Sequence, residues 1–211
     1  MNKIKIYKFL QNPFLWGAIL GVFSLHIIKE LANYHRSAPP PLLYIKDWHL
    51  IDQNNKKFGS AQLKNKVVIV NLFFTRCPSI CPKLINTMKK LYKCFNKIEN
   101  QIHFISITID PLYDSPTILK KYIITNNIID KNWTFLTGKK SKIYDIVITK
   151  MKLHIGKKQF INNKKNQYDI DHFGQLILLD QNGNLRGIFS TEYHILAALE
   201  RSVKLLIEKG A

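Results

Sequence analysis

A long apolar run that leads straight into two cysteines is the feature that most restricts how this chain can fold. Residues 67–74 read VVIVNLFF, and Asn71 is the only polar residue among them. Such a run of β-branched and aromatic residues is typical of a strand that is buried on both faces of a sheet. We therefore predict a central sheet covered by helices on its two sides, with the chain turning at Thr75-Arg76-Cys77-Pro78.

The segments after the cysteines alternate between helix and strand. An apolar stripe at three- and four-residue steps predicts a helix; its members are Leu84, Ile85, Met88, Leu91, Tyr92, Phe95 and Ile98. Residues 103–109 (HFISITI) predict a second buried strand. Ser115 and Pro116 are typical of an N-cap and of the first position of the next helix.

The C-terminal part continues the pattern and ends in a hairpin. In order, we predict a short strand at 133–136, a helix at 139–150, an exposed hairpin or loop at 151–170, strands at 175–179 and 184–189, and a last helix from 191 to 208. Asn182 and Gly183, between the last two strands, indicate a tight turn. This order of elements predicts an α/β, thioredoxin-like three-layer fold.

The N-terminal segment is typical of a chain attached to a membrane. Residues 13–28 carry no charge, and the residues before them include Lys3, Lys5 and Lys8 but no acid. The run is shorter than the ~20 residues that span a bilayer, but flanking residues and lysines that reach the interface can extend it. The three lysines favour a cytoplasmic N-terminus.

The same segment could be a cleaved signal peptide or an uncleaved anchor. The best cleavage candidate, Arg36-Ser37-Ala38, has arginine where a signal peptidase requires a small residue, which favours the anchor. We expect three regions: a cytoplasmic N-terminus with a single transmembrane helix at 1–36, a proline-rich linker at 37–43 and a globular domain at 44–211.

The chain is strongly basic, with a net charge of +18 from 32 basic and 14 acidic residues. Such a balance can indicate binding to nucleic acid or to a membrane surface. Here 28 of the basic residues are lysines that are scattered along the chain, and no basic helix, zinc finger or aromatic RNA-binding motif accompanies them. We therefore expect no nucleic-acid partner.

The sharpest chemical motif is Cys77-Pro78-Ser79-Ile80-Cys81-Pro82, at the predicted junction of strand and helix. A spacing of four is about one helical turn, so both sulfurs can face the same way, and a helix N-terminus favours the thiolate form. We expect Pro78 to lie at the helix start, where its missing N–H costs nothing. Two thiolates can form a disulfide or bind a soft metal ion. The three intervening residues weaken the case for a dedicated electron shuttle, because thioredoxin-type redox motifs have two.

His172 is the expected third member of the site. It precedes the predicted strand at 175–179, whose start lies beside the N-terminus of the active-site helix in a thioredoxin-like sheet. Two sulfurs and one imidazole suit Cu(I), which accepts three ligands, better than structural Zn(II), which needs a fourth. We expect Cys94 to be a buried apolar residue, and Asp110 and Asp114 to brace the loop beside the site.

Other residues carry ordinary interpretations. Trp133 is expected in the core or in a wall of the site. The histidines without a comparable sequence context, which we interpret as structural or surface residues, are His49, His103, His154 and His194.

Four ordered segments resemble the Sco/SenC family of membrane-tethered, thioredoxin-fold proteins for copper delivery to cytochrome c oxidase. They are 74–82 (FTRCPSICP), similar to FTxCPxxCP; 108–116 (TIDPLYDSP), similar to [TV]-[IV]-DPxxD-[ST]-P; Trp133 with Leu136-Thr137-Gly138, similar to W…LTG; and Asp171-His172, similar to the family's late DH pair. The resemblance covers about residues 44–209. Phe173 departs from it, since the family usually has a small hydroxyl residue there, and this changes the hydrogen bonding available beside His172.

The resemblance implies a copper metallochaperone with Cys77, Cys81 and His172 as metal ligands. The cargo would be Cu(I), with Cu(II) also open. The implied partners are the copper-site subunit of cytochrome c oxidase, an upstream copper donor and the membrane through residues 13–28. The implied location is an inner membrane crossed once, with the globular domain in the periplasm, or in the intermembrane space of a mitochondrion.

A metallochaperone is not an enzyme, but the alternative function is enzymatic. In that alternative the chain is a thiol–disulfide oxidoreductase that reduces the cysteines of the oxidase copper site. Cys77 and Cys81 would then be its redox pair, and His172 would be dispensable. A weaker third interpretation is a peroxide-reducing relative of thioredoxin.

Overall fold

The computed structural model of the chain describes residues 13–45, 47–128, 131–160, 168–172 and 174–209. It divides into two compact units, one that ends at Ala38 and one that begins at Pro39. The described part of the first unit contains one helix, α1 (Pro13–Arg36), on which large apolar side chains such as Phe14 and Val22 are exposed.

The structure gives no support to the predicted membrane span. Within the described ranges, no helix has both the length and the apolar character that crossing a bilayer requires. The transmembrane helix expected at 13–28 is therefore not confirmed.

The second unit contains ten described strands, four described α-helices and two short 3₁₀ helices at Ser60–Leu63 and Asn96–Ile98. The strands are β1 (Leu43–Tyr44), β2 (His49–Asp52), β3 (Lys57–Gly59), β4 (Val67–Phe73), β5 (Ile102–Thr108), β6 (Trp133–Thr137), β7 (Ile155–Phe160), β8 (Tyr168–His172), β9 (Gln175–Leu179) and β10 (Asn184–Ser190). The helices are α2 (Cys81–Cys94), α3 (Pro116–Thr125), α4 (Lys140–Tyr144), which continues as a π-helical turn at Asp145–Lys150, and α5 (Tyr193–Lys209).

Eight of the strands form one mixed sheet in the order β1-β10-β9-β4-β5-β6-β2-β3. The strands β4, β5 and β6 are parallel, and β9 joins β4 in the antiparallel sense. Every residue of β4 and β5 is buried, which confirms that the sheet is covered on both faces. The predicted α/β, thioredoxin-like fold is thus confirmed for this unit.

A buried chain of polar groups crosses the three central strands. Asn71 on β4 lies opposite Ser106 on β5, and its Oδ1 accepts a hydrogen bond from the Ser106 hydroxyl at 2.6 Å. The indole of Trp133 on β6 donates to the same hydroxyl at 2.9 Å. Buried polar atoms are stable only when they are paired. These two hydrogen bonds therefore favour one register of the three central strands. Trp133 is a core residue, as predicted.

Two local sequence signals are confirmed. The Ser115 hydroxyl accepts a hydrogen bond from the amide of Ile118 at 3.4 Å and caps α3. The turn between β9 and β10 has Gly183 at φ +82°, in the left-handed region that glycine tolerates. The carboxylate of Asp180 accepts hydrogen bonds from the amides of Asn182 and Asn184, both at 2.9 Å, which closes the turn.

The β7–β8 hairpin stands apart from the main sheet. In the part of the chain that the structure describes, β7 and β8 pair only with each other. The hairpin occupies most of the segment that was predicted as an exposed hairpin or loop at 151–170, but the prediction that it is exposed is wrong in part, because Ile155, Tyr168 and Ile170 are buried. Because no backbone ladder ties it to the sheet, its position depends on side-chain contacts.

Two parts of the N-terminal edge differ from the sequence interpretation. The short strands β1, β2 and β3 were not predicted, because two to four residues are too few for a clear period. The residues expected to form a linker also contact the globular unit: the carbonyl of Pro39 accepts a hydrogen bond from Arg186 at 2.7 Å, and the amide of Leu42 donates to the carbonyl of Leu185 at 2.8 Å.

Candidate metal and thiol site

The two cysteines flank a short turn between β4 and α2. The amide of Cys77 donates to the carbonyl of Phe74 at 3.1 Å, and α2 begins only at Cys81. The prediction that Cys77 and Pro78 open the helix is therefore wrong. A helix that began at Cys77 would need the amide of residue 82 to donate to residue 78, and Pro82 has no N–H. With the start at Cys81, Pro82 lies in the first turn, where no N–H is needed.

The sulfur of Cys77 is held by donors from its own turn. The amide of Cys81 donates to this sulfur at 3.4 Å, and the Ser79 hydroxyl lies 3.7 Å from it. Cys77 is 8% exposed and Cys81 is 1% exposed, and no disulfide joins them. The site is therefore a buried dithiol in which Cys77 is the slightly more exposed residue.

The pKa values of the two thiols are shifted in opposite directions. The thiol of Cys81 hydrogen bonds to Cys77, and this contact, with the amides of Cys81 and Ser79, lowers the pKa of Cys77 to about 5 against the opposing effect of burial. The same hydrogen bond and burial raise the pKa of Cys81. The pair therefore loses its first proton easily and its second with difficulty, as coupled groups do.

Asp114 braces the chain just before Cys77, as predicted. Its carboxylate accepts hydrogen bonds from the amide of Thr75 at 3.1 Å, from the Thr75 hydroxyl, and from the Thr108 hydroxyl at 2.5 Å. Asp114 is fully buried, and burial raises its pKa although the three donors act in the opposite direction. The carboxylate joins the ends of β4 and β5 and so fixes where the cysteine turn begins.

His172 belongs to a segment that contacts the cysteine turn, while its side chain lies outside the described part of the structure, as does Phe173. His172 is the last residue of β8 and pairs with Ile155 on β7. Three residues earlier, the carboxylate of Asp169 accepts a hydrogen bond from the Ser79 hydroxyl at 2.9 Å. Two residues later, a Cβ on Gly174 would lie 2.1 Å from the side chain of Ile80. The segment that carries His172 thus touches the turn on both sides of this residue.

The donor chemistry of the turn fits a soft metal ion. Two sulfurs, one of them readily a thiolate, are the ligands that Cu(I) prefers. Among the side chains that the structure describes, no group of three or more histidine, cysteine, aspartate or glutamate residues could hold a metal.

The remaining sequence expectations have mixed outcomes. Cys94, predicted to be buried, is exposed at the end of α2, because Phe95 and not Cys94 continues the buried stripe after Leu91. His103 is a buried structural residue, with its Nε2 2.9 Å from the Thr134 hydroxyl.

Sequence reasoning missed one cluster beside the cysteine turn. Arg76 directly precedes Cys77, and its Nε donates to the Tyr168 hydroxyl at 3.0 Å. That hydroxyl in turn donates to the carboxylate of Asp110. No local pattern indicates this cluster, because Arg76 and Tyr168 lie far apart in the sequence and meet only in the fold.

Comparison with known proteins agrees with this fold and identifies the family. The sequence model of the SCO1/SenC family matches residues 37–206. An SCO2-like protein of Rickettsia conorii is 34% identical over 183 residues, which covers 86% of this chain and 87% of the relative.

Two solved structures extend the comparison to three dimensions. The structure of Bradyrhizobium japonicum ScoI with copper bound has a TM-score of 0.63 at 25% identity, and the match covers 76% of this chain and 98% of that one. An SCO1/SenC family lipoprotein from Bacillus anthracis has a TM-score of 0.68 at 25% identity, with 80% and 99% covered. Since the family match spans most of the sequence and includes the cysteine turn and the strand of His172, the chain belongs to the SCO1/SenC family.

Proposed function

We propose that this chain is a membrane-anchored copper metallochaperone that delivers Cu(I) to the dinuclear copper centre of cytochrome c oxidase during its assembly. The observation that carries the proposal is the cysteine turn, where the sulfur of Cys77 receives the amide of Cys81 at 3.4 Å and the thiol of Cys81 lies beside it. Copper-bound ScoI of Bradyrhizobium japonicum, which shares the fold, supports copper as the cargo.

In this proposal Cys77, Cys81 and His172 bind Cu(I). Two sulfurs and one imidazole leave the ion three-coordinate, so an acceptor thiolate can bind before a donor ligand leaves. Cys77, the more exposed of the two cysteines, is the ligand that is easiest for an acceptor to replace. The copper-site subunit of the oxidase is the proposed acceptor, and an upstream copper protein is the proposed donor.

Cu(I) titration of the reduced full-length protein tests the ligand set. We expect Cys77→Ala, Cys81→Ala and His172→Ala each to weaken Cu(I) binding in competition with a chromogenic chelator. The exposed Cys94 and His154 provide matched controls, and Cys94→Ala and His154→Ala are expected to leave the affinity unchanged. Wild-type affinity in Cys77→Ala or His172→Ala contradicts the assignment.

The second candidate function is a thiol–disulfide oxidoreductase, and the unequal thiol pair favours it. The Cys77 thiolate would attack a disulfide of the acceptor and form a mixed disulfide. The Cys81 thiolate would then release the acceptor, so that a Cys77–Cys81 disulfide forms as the acceptor gains two electrons and becomes a dithiol. His172→Ala separates the candidates, because an oxidoreductase keeps its reductase activity in this variant although Cu(I) binding is weakened.

The membrane anchor and its orientation belong to the same proposal. Residues 13–28 would hold the chain in an inner membrane, with the globular unit in the periplasm or an equivalent space. A reporter that is active only outside the cytoplasm, fused after Lys209, tests this orientation. An active cytoplasmic reporter at the same position contradicts it.

A further inference from the structure

The β7–β8 hairpin, which carries His172, is fixed to the rest of the unit at the hydroxyl of Tyr168. Tyr168 is 1% exposed. Its hydroxyl accepts from the Arg76 Nε at 3.0 Å and donates to the carboxylate of Asp110. Arg76 directly precedes Cys77, and Asp110 follows β5, so one hydroxyl joins three separate parts of the chain.

Two cations close around this hydroxyl and its ring. Lys158 on β7 has its Nζ 3.6 Å from the Asp110 carboxylate and 3.5 Å from the centre of the Tyr168 ring. The Arg76 guanidinium lies 3.4 Å from the centre of the Tyr113 ring and 4.5 Å from that of Tyr168. Cation–π contacts strengthen when they are shielded from water. We name Arg76, Asp110, Lys158 and Tyr168 the clasp.

The clasp matters because side chains hold the hairpin in place, the buried Ile155 and Ile170 together with the polar groups of the clasp. Within the described ranges, β8 has no backbone ladder to the main sheet. Its polar contacts with the cysteine turn include those of Tyr168 with Arg76 and of Asp169 with Ser79, and the Ser79 contact is exposed. His172 follows Tyr168 by four residues of the same strand, about 13 Å at ~3.3 Å per residue. A rotation of the strand about its Tyr168 end would therefore move His172 by several ångströms relative to the sulfurs.

We infer that Tyr168 is a positioning residue for the metal site, whose hydroxyl, held by Arg76 and Asp110, keeps β8 at the distance from Cys77 and Cys81 at which His172 can serve as the third ligand. The inference rests on the proposed function, since it assigns His172 a copper-binding role. Loss of the Tyr168 hydroxyl is expected to lower Cu(I) affinity about 10- to 100-fold, as the loss of an outer contact of a metal ligand does.

A double-mutant cycle in the full-length protein tests this inference. Cu(I) affinity is measured by chelator competition for wild type, Tyr168→Phe, His172→Ala and the double variant. Tyr168→Phe keeps the ring and its stacking on Phe74 but removes the hydroxyl. We expect about a tenfold loss in the wild-type background and less than about a twofold loss once His172 is absent.

A merely structural role gives a different result. If Tyr168→Phe costs the same factor in both backgrounds, or costs nothing in the wild-type background, the inference is overturned. Arg76→Gln acts on the clasp without changing the tyrosine and is expected to behave in the same way, so the test does not depend on one variant. Tyr92→Phe removes a hydroxyl from a ring that packs on Phe104 and Trp133, and it is the control expected to leave the affinity unchanged.

A measurement without copper separates this inference from the proposed function. In the metal-free protein we expect backbone amides 169–172 to exchange hydrogen about tenfold faster in Tyr168→Phe than in wild type. Equal exchange rates overturn the inference even where Cu(I) binding depends on both cysteines. Absence of Cu(I) binding in the wild-type protein overturns the proposed function, whereas the exchange rates still report whether the clasp holds β8.

Discussion

The amide of Cys81 donates to the sulfur of Cys77 across 3.4 Å, so the residue that begins α2 stabilises the thiolate that precedes the helix. A helix N-terminus carries positive potential and unpaired N–H groups. By starting the helix at Cys81 and not at Cys77, the fold directs one of these N–H groups at the other sulfur. This arrangement makes the two cysteines chemically unequal although they belong to one motif.

The first prediction concerns the ionisation of this pair. We expect thiolate absorbance in the far ultraviolet to appear with a midpoint near the pKa of about 5 that the hydrogen bonds give Cys77. The measurement is made in a Cys94→Ala background, so that only the pair contributes. Cys77→Ser is expected to abolish this step, because the thiol that ionises near this pH is removed. A single transition near pH 8.5, the ordinary thiol range, contradicts the prediction.

The second prediction concerns Asp114, whose carboxylate accepts three hydrogen bonds from Thr75 and Thr108. Asp114→Asn keeps the shape of the side chain but replaces one acceptor oxygen by an NH₂ group, a donor that faces the donors of Thr75 and Thr108. We expect the free energy of unfolding in urea to fall by about 2–3 kcal/mol, the cost of unsatisfied buried polar groups. Asp145→Asn is the control, since its carboxylate is half exposed and pairs only with Lys150 at 3.7 Å among its described contacts. Equal losses of unfolding free energy in the two variants would contradict the proposed role of Asp114 in joining the ends of β4 and β5.

The sequence carried enough information to predict the centre of the fold. The apolar run of β4, the second buried strand and the turn at Gly183 depend on local period and on conformational preference, both of which can be read without a structure. The dithiol was found for the same reason, since its two members are four residues apart.

One feature that the sequence did not predict depends on a contact between distant residues. The contact of Arg76 with Tyr168 joins residues 92 apart in sequence, and no periodicity connects them.

Two other errors come from local signals that fit more than one structure. The start of α2 was misplaced because Pro78 and Pro82 are both acceptable in a first helical turn, and only the backbone hydrogen bond that each would remove distinguishes them. Cys94 was misassigned because a step of three from Leu91 also fits an apolar stripe, whereas the helix ends there and Phe95 is buried instead.

The third prediction concerns the pH dependence of stability through His103. Burial, together with the charge of Lys66, lowers the pKa of His103 to about 4. As the pH falls below about 6.5, the unfolded chain binds a proton at this residue and the folded chain does not, so the free energy of unfolding decreases down to about pH 4. The loss attributable to His103 approaches about 3 kcal/mol, at ~1.36 kcal/mol per pKa unit.

Urea unfolding between pH 7 and pH 4 measures this loss. His103→Gln is expected to reduce the fall in stability over that range, while His154→Gln, at an exposed position, is expected to follow wild type. The prediction fails if His103→Gln and wild type lose stability in parallel.

The fourth prediction concerns the close approach of Gly174 to Ile80. A Cβ at position 174 would lie 2.1 Å from Cδ1 and 2.7 Å from Cγ1 of Ile80. Because these atoms are the flexible end of a side chain between the two cysteines, Gly174→Ala forces either Ile80 or the segment that follows His172 to move. We expect Gly174→Ala to weaken Cu(I) binding by less than the about tenfold that follows the loss of an outer contact of a metal ligand, because the end of the Ile80 side chain can rotate away.

A second substitution determines whether this collision is the cause. Ile80→Ala removes both atoms that the new Cβ would meet, so the double variant is expected to regain most of the affinity that Gly174→Ala loses. Gly21→Ala is the control, because nothing lies within 4 Å of a Cβ at that position. If Ile80→Ala fails to restore binding in the double variant, the closeness of the two segments is not what Gly174 protects, and its role would lie in its own backbone.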